Sequence, residues 1–72
     1  MRLVLVRGKS LPPHQVLGEI TIHCLEGSLE VELDDKTVRL EPGELLFLTG
    51  GATHGVKALS DASALVTVAH KS

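Results

Sequence analysis

A chain of 72 residues with a net charge of -2 has room for one small domain, and its composition excludes several function classes at once. Such a chain buries only about 60% of the surface its unfolded form exposes, so it depends on a disulfide, a metal or self-association to widen its stability margin, and the single cysteine, Cys24, removes the first. Hydrophobic residues at 43% against 22% charged exclude a disordered tail, and the absence of a Lys/Arg cluster or an aromatic platform argues against nucleic acid as a partner.

In chain order, residues 3–6 form an apolar β-run, too short for a signal peptide or a membrane span; with one unpaired cysteine, the expectation is a cytoplasmic protein without membrane contact. Residues 8–13 read as an extended loop stiffened by Pro12 and Pro13, since neither can donate a ladder hydrogen bond. The run 19–25 alternates, with Ile20, Ile22 and Cys24 on one face and Thr21 and His23 on the other. Glu26-Gly27 predicts a tight turn, after which Leu29, Val31 and Leu33 alternate with Ser28, Glu30 and Glu32 as in a half-buried antiparallel strand. Asp34-Asp35 turns the chain again.

The second half keeps this rhythm. Residues 37–40 make a short strand, Glu41-Pro42-Gly43 a turn, and 44–48 a more fully apolar strand that ends at Thr49-Gly50-Gly51. Strands at 54–59 and 62–69 follow, separated by Ser60-Asp61. No segment combines a helical period with caps, so the turn spacing predicts one all-β domain over 1–72, a small antiparallel barrel or sandwich of seven or eight strands.

On these residues the chain resembles the cupins. Their first signature runs from a glycine over five residues to a histidine and closes on a later glycine, and Gly8, His14 and Gly27 stand at those places. In the second signature Gly43, Gly51 and His54 fall in register. The resemblance implies a small cupin-type β-barrel, or jelly roll, and it makes His14 and His54 the candidate ligands of a divalent metal (Zn, Fe, Mn or Ni). Four family positions differ: Val16 stands for the second histidine, Ile20 for the glutamate, Thr49 for the proline and Ala58 for the asparagine. The first motif is therefore degenerate, and two of four expected ligands are missing. Two imidazoles alone hold such a metal weakly.

Two neighbours are candidate substitutes. Glu19 is one residue from the family's glutamate place, but a one-residue shift reverses a strand side chain unless a bulge near Gly18 re-aims it. Cys24 shares the parity of Ile20, and a thiolate there would suit a soft metal. His23 has the opposite parity and is expected outside, and His70 is expected in solvent near the terminus.

The expected function is a small-ligand-binding or sensing module whose pocket is lined by His14, Val16, Ile20, Ile22, Cys24, Phe47 and His54. One alternative is a metal-dependent enzyme of dioxygenase or isomerase type using His14 and His54; another is a structural or interaction protein with a filled barrel. Edge strands left by a barrel without a capping helix predict a homodimer, with Leu3, Val4, Leu5 and Val6 at its interface.

Overall fold

The computed structural model describes residues 1–15, 18–49 and 51–69, with the backbone alone at His14. Each alternating segment becomes a strand: β1 (Arg2–Leu5), β2 (Ser10–His14), β3 (Glu19–Glu26), β4 (Leu29–Leu33), β5 (Thr37–Leu40), β6 (Leu45–Leu48), β7 (His54–Ala58) and β8 (Ala62–Ala69). Among the described residues there is no helix, hence none long and apolar enough to cross a membrane.

The strands form two four-stranded sheets, ordered β1-β8-β3-β6 and β2-β7-β4-β5, with every pairing antiparallel. Each connection passes to the other sheet, apart from the β4–β5 hairpin. This is the jelly-roll arrangement, and the small all-β barrel expected from the sequence is what the chain adopts.

Side-chain parity places the core between the sheets. From the first sheet Ile20, Ile22, Cys24, Leu48 and Ala64 point inward, and Leu29, Val31, Leu40, Val56 and Ala58 meet them from the second. The inward residues of β1 are Leu3, which packs against the core, and Leu5, which is buried in it; Val4 and Val6 are exposed. Of the four β1-segment residues expected at a subunit interface, only these two valines therefore offer side chains to a partner.

Residues 10–14 are a strand rather than the proline-stiffened loop the sequence suggests. β2 lies at a sheet edge, where a missing N–H costs little. Leu11 pairs with Val56 and His14 with His54, so three steps on β2 span two on β7, and the bulge falls at the two prolines.

One end of the barrel is sealed by its turns. Gly8 and Leu59 N–H groups donate to the carbonyls of Ala58 and Ser28, Ser28 N–H donates to the Ser60 hydroxyl at 3.0 Å, and Arg7 N–H donates to the Asp61 carboxylate at 2.8 Å. Gly27 sits within this mesh at a φ of +72°. A β-carbon at Gly27 would collide with the Asp61 carbonyl oxygen and lie 2.9 Å from Ala62 Cα, and both are backbone atoms that cannot swing aside.

Cys24 closes the same end from inside. It is fully buried, its thiol donates to the Gly27 carbonyl at 3.3 Å, and its peptide unit exchanges hydrogen bonds with Gly43 and Glu44 of the β5–β6 turn. Burial, reinforced by the charges of Glu41 and Glu44, pushes the thiol's pKa up.

Two outcomes follow from this end. Gly27→Ala should destabilise the protein by more than Gly43→Ala, measured by urea denaturation. Gly43 also has positive φ but meets nothing within 4 Å, so only the left-handed strain of about 1–2 kcal/mol applies there. Because the Cys24 thiol holds its proton longer folded than unfolded, its contribution is complete below the ordinary thiol value of about 8.5. It is lost as pH rises above that value, where the unfolded chain ionises first. Stability should decline there in the native sequence, and the decline should be shallower in Cys24→Ala.

Candidate functional site

At the opposite end of the barrel the inner face carries a histidine. His54 opens β7 and faces inward with Val56 and Ala58; its register partner on β4 is Leu33. It is 3% exposed, unusual for an imidazole among aliphatic side chains. Its Nδ1 lies 3.2 Å from the Ala52 carbonyl oxygen. With the proton on Nδ1, the ring donates to that carbonyl and Nε2 becomes the acceptor nitrogen, the tautomer required of a histidine that ligates or accepts through Nε2.

The pairing of β2 with β7 places His14 directly opposite His54 in register. Residues from distant parts of the sequence thus meet at one level of the second sheet, as the sequence reading requires of their backbones; the side chain of His14 lies outside the described residues. Gly55 permits this approach. A β-carbon there would be 3.3 Å from the Leu11 carbonyl oxygen and 3.3 Å from Pro13 N, so any side chain at residue 55 would push the bulged β2 backbone back by a few tenths of an ångström. The rim is tied by Gln15, whose amide donates to the Gly51 carbonyl at 3.2 Å.

Of the other expected pocket residues, Ile20 and Ile22 are buried in the core. Ile20, at the family's glutamate place, pairs with Leu48, and Ala58, at the asparagine place, is buried as well. Val16 lies outside the described residues. Glu19 follows its strand parity, pairing with Ala69 in the outward row, so no bulge re-aims it.

Two expectations need correction. Cys24 faces the interior, as its parity predicts, but at the sealed end. His54 stands level with Leu33, four residues along β4 from Leu29 at that end, which at the rise of an extended strand separates the two levels by about 13 Å. Phe47 lines no interior: it pairs with Thr21 on the outward row of β6 and is 54% exposed. The pairing of β6 with β3 turns Leu46 and Leu48 inward instead. His23 is on the outward face, between Leu65 and Leu45.

Among the described residues no group of three or more His, Cys, Asp or Glu side chains comes together in a way that would hold a metal ion. The two histidine positions are paired in backbone register, and the buried Ile20 stands at the family's glutamate place. The described residues do not fit a resident metal with three protein ligands. Sequence reasoning missed the Ala52 carbonyl that orients His54 and the close approach at Gly55. The second has a visible signal, a glycine inside a strand.

Comparison with known proteins agrees with this geometry. A conserved protein of unknown function from Streptococcus pyogenes, SPY1581, is 22% identical with a TM-score of 0.95; the match covers 99% of this chain and 62% of that one. An RmlC-like cupin protein from Desulfovibrio desulfuricans is 34% identical with a TM-score of 0.86, covering 94% of this chain and 67% of that one. KdgF from a Halomonas species is 30% identical with a TM-score of 0.77, covering 90% and 61%. The chain thus spans about three fifths of the length of the first and third of these. The search of curated proteins returned no match. The family model described as "Cupin domain" matches residues 1–70, and with the strand order, the inward His54 and the solved relatives pointing the same way, this chain belongs to the cupin family.

Proposed function

We propose that this cupin domain is a small-ligand-binding or sensing module whose site lies at the open end of the barrel, around His54 and the position of His14. The observation that carries the reading is the buried, carbonyl-oriented imidazole of His54 on an otherwise aliphatic inner face. Such a group provides one directional polar contact in a greasy surround, the usual make-up of a small-molecule site. A cytoplasmic setting belongs to the same reading, in keeping with Cys24 as a free thiol.

Capture without conversion needs no further donors. Metal-assisted chemistry of dioxygenase or isomerase type would need at least one more protein ligand beside His14 and His54, and Ile20 puts hydrocarbon at the family's glutamate place. A specific observation favours a second reading, that of a filled structural barrel: Ile22, Leu29 and Val31 are completely enclosed in the middle of the core. Any site is therefore confined to the mouth.

Thermal-shift screening of untagged protein against small polar metabolites separates these readings. A ligand at a hundred times its dissociation constant contributes about 2.7 kcal/mol, a rise of several degrees for a domain this small. The rise should disappear in His54→Gln and persist in Glu32→Lys, a change on the outer surface. Absence of any responsive compound favours the filled barrel, and a shift that survives His54→Gln removes the site from where it is proposed. Near-stoichiometric metal in elemental analysis, lost in His54→Gln, would replace this reading with the enzymatic one.

A further inference from the structure

Each sheet ends in two edge strands, β1 and β6 in the first and β2 and β5 in the second. An unpaired edge is a template for another strand unless charge, proline or a bulge blunts it. β1 carries Arg2, β2 carries Pro12, Pro13 and the bulge, and β5 carries Arg39, whose guanidinium is tied to Glu41 at 2.9 Å. β6 has none of these: Leu45–Leu48 is uncharged, contains no proline and keeps an unbroken register with β3.

The ladder fixes which backbone groups of β6 are left over. Cys24 N–H donates to the Glu44 carbonyl at 2.9 Å, and hydrogen-bonded pairs alternate along an antiparallel ladder. Ile22 with Leu46 and Ile20 with Leu48 are therefore the bonded pairs, while Leu45 and Phe47 direct N–H and C=O to the far side of β6. Among the described residues no strand pairs with that side. The same two residues present exposed side chains, at 56% and 54%, so two donors, two acceptors and two apolar side chains lie along one edge.

We propose that the edge of β6 binds an extended segment of another protein by strand addition, the segment being apolar at alternate positions and carrying a lysine or arginine at one end. The unpaired N–H and C=O groups specify an extended backbone as the ligand, and apolar side chains opposite Leu45 and Phe47 cover both. Charge selects the partner. Arg39 engages Glu41, while Glu44, exposed and with Oε1 accepting the Glu41 N–H, is the carboxylate adjoining the edge. A second copy would bring no cation to it, because its own β6 is uncharged and is followed by Thr49, Gly50 and Gly51. The inference does not depend on what His54 binds.

The probe is a capped synthetic peptide of one lysine followed by alternating valine and threonine, added to isotope-labelled protein whose amide exchange is followed by NMR. In the native chain the Leu45 and Phe47 amides should exchange faster than those of Leu46 and Leu48, and the peptide should slow them. Glu44→Lys should weaken binding by about two- to fivefold, the range of an exposed ion pair, and a peptide with glutamate in place of lysine should recover it. Phe47→Pro removes a donor that the ladder with β3 does not use, so it should abolish binding with the β-sheet circular dichroism spectrum retained. A peptide N-methylated at alternate residues, which needs no variant, should lose binding too. Leu45 and Phe47 amides as slow as those of Leu46 and Leu48 in dilute native protein would mean a closed edge and overturn the proposal. Protection that grows with protein concentration in the absence of peptide makes the occupant a second copy and overturns it as well. Binding that survives N-methylation, or is absent for the unmodified peptide at millimolar concentration, does the same.

Discussion

A one-residue slip of β3 would turn Ile20, Ile22 and Cys24 out of the core and drive Thr21 and His23 into it. No other strand joins β8 on one side and β6 on the other, so its register sets that of the whole first sheet. The register is held at the sealed end. There Leu25 is bulged out of the ladder between Cys24 and Glu26, the Cys24 thiol is bonded to the Gly27 carbonyl, and Gly27 lies against the backbone of Asp61 and Ala62. The bulge adds one residue and reverses parity locally, which lets the strand leave the sheet into the turn without moving its buried row.

The open end is built differently. Among the described residues its contacts include a side-chain bond from Gln15 to the Gly51 carbonyl, a 2.8 Å bond across the β4–β5 turn from Leu33 to Lys36, and the orientation of His54 by Ala52. This division also explains the two polar-capable residues of the interior. Cys24, behind a raised pKa and a carbonyl acceptor, is a structural thiol, while His54 is buried at the opposite end of the inner face.

The β3 and β4 strands are legible in the sequence because hydrophobic and polar residues alternate there without interruption. What is not legible has physical reasons. Pro12 and Pro13 signal a loop, yet an edge strand with a bulge tolerates both. The segment Leu45–Leu48 reads LLFL, apolar at every position, so periodicity assigns no face and only its pairing with β3 turns Phe47 outward. For Cys24, parity correctly predicts the inward direction but carries no information about height along the barrel axis. That depends on which turn closes which end.

The apolar outer face and the site at the mouth share their strands. β3 supplies Ile20 to the interior and His23 to the outside; β6 supplies Leu48 to the interior and Phe47 to the outside. β6 is apolar at all four positions, where β4 alternates with Glu30 and Glu32, so Leu45 and Phe47 stay exposed beside the buried Leu48. The middle of the interior is aliphatic and filled by Ile22, Leu29 and Val31, so Leu45, Phe47 and Leu65 are apolar surface that the barrel itself leaves exposed.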